Sequence, residues 1–119
     1  MDQERSSRAV QAMPTLALRG LVAFPGVTMH FDVKRSKSIL AIKAAMDLNR
    51  EIFIITQENI EAEDPDEQDL YQIGVVCTIK QLLKADDNTI RVLIEGKYRA
   101  KLVRILSATP FLLSDVRRM

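Results

Sequence analysis

The chain is poor in the residues that most catalytic and ligand-binding chemistry needs. It has one cysteine, Cys77, and one histidine, His30, among 119 residues. No internal disulfide can form, and the nitrogen and sulfur donors of an ordinary zinc site are missing. A reducing compartment fits such cysteine usage. Only four glycines occur, Gly20, Gly26, Gly74 and Gly96, and none lies close enough to another to build the amide-lined loop that cradles phosphate. Neither sign of charge is in excess. Seventeen Lys and Arg against sixteen Asp and Glu leave a net +1, so no overall field draws the protein to nucleic acid or anionic lipid. No apolar run approaches the ~18–20 residues that span a bilayer, and Met1–Gln11 lacks the apolar core of a secretory signal. The expected location is the cytoplasm, without membrane attachment.

What the chain does have is the make-up of one globular domain. Apolar residues are 47% and charged residues 28% of the total, and autonomous domains commonly run ~100–150 residues. A two-domain enzyme is excluded. Residues 1–12 are polar and aperiodic and predict a flexible arm, with the folded domain at 13–119. Thr15–Val22 reads as a strand, Phe24-Pro25-Gly26 as a tight turn and Thr28–Val33 as a second strand, in which Met29, Phe31 and Val33 alternate with His30 and Asp32. Ser36 or Ser38 is suited to cap a helix. Ile39, Ile42 and Met46, widened by Leu40 and Ala44, form its apolar stripe, and it ends near Asn49 and Arg50. Ile52-Phe53-Ile54-Ile55 has the continuous β-branched pattern of a central strand buried on both faces.

Seven carboxylates between Glu58 and Asp69, with Pro65 among them, predict an exposed acidic loop. A hairpin follows, Val75–Lys84 against Thr89–Glu95, across a turn at Asp86-Asp87-Asn88 whose residue types tolerate left-handed backbone. Gly96 permits a sharp corner. Beyond it the alternation of Tyr98, Ala100 and Leu102 slips by one residue before Val103 and Ile105, the mark of a β-bulge in a curling sheet. A last strand is expected at Phe111–Val116. The fold class is mainly β with one helix.

Each reactive-looking group has a plainer role. His30 sits on the wet side of an alternating strand, and Cys77 lies among Val75, Val76 and Ile79, where a thiol packs as a small apolar group. Ser36-Lys37-Ser38 is better explained by helix capping than by a nucleophile and base. The acidic loop lacks the ligand alternation and central glycine of a calcium site. Arg91, Lys97, Arg99, Lys101 and Arg104 could align on adjacent strands to meet phosphate, yet only Tyr98 is near for stacking and it alternates to the other side. No catalytic, metal or cofactor-binding residue is assigned.

The landmarks nevertheless have a familiar order. Leu16-Ala17-Leu18-Arg19-Gly20-Leu21-Val22 followed by Phe24-Pro25-Gly26 resembles the opening of the N-terminal domain of the Lon ATP-dependent protease family. Arg35 with Ser38-Ile39, Asp69-Leu70-Tyr71 with Ile73-Gly74, Ile79 with Gln81-Leu82-Leu83, and Val92-Leu93-Ile94-Glu95-Gly96 with Arg99-Ala100 extend the resemblance from Met13 to about Leu106. Ala17 replaces a common proline and Lys34 a frequent glycine, which puts any positive-φ turn at Lys34 in doubt. The resemblance implies a strongly bent, six-stranded PUA-like pseudobarrel. It also implies a non-catalytic domain that contributes to recognition of misfolded or degron-bearing proteins and to assembly of a homohexameric parent. In the family, ATP and Mg belong to an AAA+ module and peptide cleavage to a Ser-Lys protease module, and this chain offers no positions for their catalytic residues. Leu21, Phe24, Met29 and Phe31 are the expected substrate-contacting residues, since exposed apolar side chains on a bent sheet can hold unfolded segments. Two other readings keep the fold: a stand-alone interaction module, and an RNA-binding domain acting through Arg99, Lys101 and Arg104. Nucleic acid is not the expected partner.

Overall fold

The computed structural model describes residues 9–119. Six strands and one long helix follow in the order β1 (Val10–Leu18), β2 (Thr28–Val33), α1 (Ser36–Asp47), β3 (Glu51–Thr56), β4 (Ile73–Asp86), β5 (Thr89–Ser107) and β6 (Leu113–Arg118), with a single 3-10 turn at Glu67–Asp69. The sheet order is β2-β5-β4-β3-β1-β6, and β6 pairs again with β5. Five strands therefore close into a ring, and β2 extends the sheet beside the first half of β5. Closure removes most of the unpaired edge that an open sheet would present. The expected bent pseudobarrel is present.

Two cores follow from the alternation of side chains along these strands. Met13, Phe53, Ile55, Val76, Ala100, Leu102 and Val116 point inward and fill the ring. Leu16, Leu18, Ile52, Ile54, Val75 and Cys77 point outward from β1, β3 and β4 and are covered by Ala41, Ile42 and Ala45 of α1 and by Phe31, Val92 and Ile94 of β2 and β5. Because β3 contributes to both cores, its four central residues are all buried, as its unbroken apolar run requires.

Curvature comes from bulges in β4 and β5. The β4–β5 register moves from Cys77↔Gly96 to Val76↔Tyr98, which leaves Lys97 as an extra residue at the Gly96 corner. A second shift falls between Leu102 and Arg104 against β6, where the sequence loses phase. β5 is thus one bent strand of 19 residues rather than two pieces.

Several expectations need correction. β1 begins at Val10, inside the expected arm, because Val10–Pro14 pair with β6; the arm's residues 1–8 lie outside the described residues. β1 also stops at Leu18, short of the expected Val22, and pairs in parallel with β3. The Phe24–Val27 turn does form, with Pro25 second, Gly26 third at φ 78° and Val27 N–H donating to Phe24 O. It folds onto β5, however: Gly26 N–H donates to Gly96 O at 2.8 Å and Gly96 N–H to Val27 O at 3.0 Å. Neither Ser36 nor Ser38 caps α1. The cap residue is Arg35, whose side chain makes no cap hydrogen bond and is engaged elsewhere. Leu40 faces solvent, since the buried stripe runs through Ser38, Ala41, Ile42 and Ala45. The β4–β5 turn needs no left-handed residue, as Arg50 alone among the described non-glycine residues has positive φ. The Asp86 carboxylate closes that turn by accepting from Asn88 N–H at 2.9 Å. Lys34 likewise bears no positive φ. The last strand lies two residues later than expected.

Candidate substrate-recognition surface

The segment from Leu21 to Val27 is a loop whose ends and middle are fixed and whose large side chains are not. Leu21 O accepts from Thr56 Oγ1 at 2.7 Å, Ala23 is buried in the outer core, and the Phe24–Val27 turn is clamped to Gly96. A Cβ on Gly96 would collide with Phe24 O, so only glycine lets the loop lie this close to β5. Between those anchors, Leu21, Val22, Phe24 and Val27 stay in solvent. Tyr71 and Ile73, where β4 begins, face the same water, and all six side chains are 43–53% exposed. Val22, Thr56, Tyr71, Gln72 and Ile73 line an open hollow of about 470 Å³.

Of the four residues expected at this surface, Leu21 and Phe24 are exposed there. Met29 is half-buried against the outer core. Phe31 is only 6% exposed and belongs to that core, because alternation on β2 turns Phe31 and Val33 inward. Val22, Val27, Tyr71 and Ile73 were not anticipated. The isolated apolar residues in the run Asp69-Leu70-Tyr71-Gln72-Ile73 carry the only sequence signal for two of them.

A second hollow of about 520 Å³ lies between β1, the start of α1 and the acidic loop, bordered by Ala17, Arg19, Arg35, Lys37, Ser38 and Asp64. Its cations are already engaged. The Arg35 guanidinium donates to Ala17 O at 2.8 Å, to Gln57 Oε1 at 3.3 Å and to Glu63 O at 3.3 Å. Arg19 donates to Ala62 O at 2.9 Å, and Lys37 pairs with Asp64. Gln57, buried, donates to Asn59 O and Ala62 O, each at 3.0 Å. Burial lowers the Arg35 pKa, and neighbouring Arg19 acts in the same direction. The acidic loop is therefore exposed, as expected, but tied to the domain by a polar hub. At its end Asp69 accepts from Asp66 N–H and from Asn59 Nδ2, and these bonds hold its carboxyl below the ordinary range.

Of the five basic residues that could align to meet phosphate, Arg91 pairs with Asp32, Lys97 with Glu51 and Arg104 with Asp115, while Arg99 and Lys101 are exposed. Tyr98 packs toward the ring interior with the Arg118 guanidinium 4.2 Å above its ring. Cys77 is fully buried, and burial pushes its thiol up to about 12, far from a reactive thiolate at neutral pH. His30 is exposed on β2. Among the described residues no group of three or more His, Cys, Asp and Glu is placed to hold a metal ion, and no helix is long and apolar enough to cross a membrane.

Residues 12–119 match the family model of the ATP-dependent protease La (LON) substrate-binding domain. The Lon protease of Heliobacterium modesticaldum is 42% identical over 116 residues, 98% of this chain and 14% of that protein. The Lon protease of Syntrophomonas wolfei is 44% identical over 100 residues, 84% of this chain and 12% of that protein. The chain thus spans about one-seventh of the length of these relatives. The N-terminal domain of the Mycobacterium avium complex Lon protease superposes with a TM-score of 0.72 at 19% identity, over 92% of this chain and 55% of that one. A Lon N-terminal domain protein from Xanthomonas campestris gives 0.69 at 14%, over 91% and 59%. At such identities the two structures speak for the fold alone. On the strength of the family match and the identity to these Lon proteases, the chain belongs to the LON substrate-binding domain family.

Proposed function

We propose that this domain captures misfolded or degron-bearing proteins for a Lon-type ATP-dependent protease, without itself breaking a bond, and that it adds contacts between subunits of a homohexameric parent. The observation that carries the reading is the exposed apolar set on the loop, Leu21, Val22, Phe24 and Val27, together with a hollow in which Val22 meets exposed Tyr71 and Ile73. Water pays a free-energy penalty against such surface, at roughly 25 cal/mol per Å², and an unfolded chain offers the matching apolar segments. The loop's anchoring keeps the side chains presented instead of collapsed. Because the contacts are dispersive and not directional, affinity is low and tolerant of sequence. Nucleotide and magnesium chemistry, and the Ser-Lys cleavage chemistry of the family, belong to modules other than this domain.

Titration of a reduced, alkylated and permanently unfolded protein into the isotopically labelled chain tests this directly. Amide shifts should concentrate at Leu21–Val27, Tyr71 and Ile73. Shifts confined to α1 or to the acidic loop, with none at those positions, would remove the proposal.

A further inference from the structure

The hollow at Val22, Tyr71 and Ile73 borders a strip of unpaired positive charge. Cross-strand register sets Ile73 opposite Lys101, Lys101 opposite Arg117 and Arg117 opposite Val10. Residues directly opposite share a face, so these four side chains form one row across β4, β5, β6 and β1 on the outside of the ring, and all four are exposed. Arg99, two residues before Lys101, shares the face and is exposed too. Among the described residues, Lys101, Arg117 and Arg99 have no ion-pair partner, whereas nearby Arg104 and Lys97 are paired with Asp115 and Glu51. Like charges directly opposite one another in a sheet are destabilising. The Lys101–Arg117 pair therefore contributes nothing favourable to the folded domain on its own and becomes favourable only when an anion lies over it.

Resting on the recognition role proposed above, we infer that this strip gives the hollow a substrate preference: apolar segments that carry carboxylates a few residues from the anchoring side chain. Strands are ~4.8 Å apart, so Ile73 and Arg117, two strands apart, are separated by about 10 Å, the length of about three extended residues. A chain with a leucine or phenylalanine in the hollow thus brings acidic side chains two to four residues away over Lys101 and Arg117. The row has aliphatic ends, Val10 and Ile73, and a single exposed ring beside it, Tyr71 in the hollow, rather than the succession of rings on which consecutive bases stack, which favours a polypeptide over single-stranded nucleic acid. The same charges repel basic segments, so the surface discriminates as well as attracts.

Three fluorescent peptides test the inference on the 119-residue chain by anisotropy. They share one Leu-Phe anchor in a Gly-Ser background and differ in carrying three aspartates, three lysines or no charge at positions two to four from the anchor. The acidic peptide should bind at least fivefold more tightly than the basic one at low salt, with the gap closing as salt is raised. In K101E/R117E the order should reverse while the uncharged peptide is unaffected; K101Q/R117Q, which removes charge without introducing a new repulsion, should abolish the order. Equal binding of all three peptides, sensitive to Val22→Ser and Ile73→Ser, overturns the charge preference and leaves the apolar reading standing. Failure of the uncharged peptide to bind, or its indifference to those two substitutions, overturns the apolar reading itself. Tighter binding of a single-stranded oligonucleotide than of the acidic peptide, lost in K101E/R117E, reassigns the strip to phosphate and overturns the inference.

Discussion

A Cβ placed on Gly74 would stand 2.8 Å from Cζ of Phe53. Phe53 is the largest fully buried side chain inside the ring, and its ring occupies the space that a side chain on β4 would need. The Ile54 carbonyl closes the other side, so neither backbone nor ring can yield cheaply. Gly74→Ala should cost about 1–3 kcal/mol, the range for overfilling a packed interior, read as a lower urea midpoint at unchanged slope. Gly20→Ala is the contrast. Its φ of 71° is strained for alanine, but no atom lies within 4 Å, so only the backbone term of about 1 kcal/mol applies.

Arg35 should matter to the acidic loop more than to the helix whose start it marks. Arg35→Ala removes donors to Ala17 O, Gln57 Oε1 and Glu63 O, and hydrogen bonds from charged donors contribute about 1.5–3 kcal/mol. The expected loss is about 2 kcal/mol. Amide exchange at Glu58 and Asn59, which both donate to Asp69 O, should accelerate more than exchange within α1. Uniform acceleration throughout the domain would show that Arg35 acts on global stability alone.

What could be read in the sequence divides along the range of the interactions involved. Alternation around Phe31, the apolar run Ile52–Ile55 and the phase slip after Leu102 are local signals, and each corresponds to a feature in place. Pairing partners are not local: nothing within Val10–Leu18 announces that one half of the strand joins β6 and the other β3. The Arg35–Gln57 hub was invisible for the same reason, as its members lie 22 residues apart. Exposure was only half legible. Leu21, Phe24 and Phe31 look alike as apolar residues beside a turn. The burial of Ala23 and the clamp on Gly96 decide that the first two face water and Phe31 does not.

That distinction gives a paired prediction. Phe31→Ala should destabilise the domain by about 3–5 kcal/mol, as loss of a buried aromatic ring does. Phe24→Ser, at a half-exposed position, should leave the urea midpoint within about 0.5 kcal/mol of the parent while weakening binding of an unfolded polypeptide. A large loss of stability in Phe24→Ser would place that ring in the core and remove it from the recognition surface.

The thiol of Cys77 supplies a pH signature with a definite sign. Burial raises it to about 12 in the folded domain, against ~8.5 in an unfolded chain. The folded state therefore holds the proton more firmly, and the contribution to stability is fully present below the unfolded value. It is lost as pH rises from there toward 12, because only the unfolded state gains by ionising. The slope is at most about 1.4 kcal/mol per pH unit over that window. Lysines and tyrosines titrate there too, so the effect is isolated as the difference between the parent and Cys77→Ala. Alanine leaves a small cavity, an offset that does not depend on pH, and the two stability curves should run parallel up to pH 8 and converge above it. In the same range, a disulfide reagent should label Cys77 at the rate of unfolding rather than at the rate of an accessible thiol. Parallel curves up to pH 11, or fast labelling of the native protein at pH 8, would mean that the outer core beneath α1 admits water at Cys77.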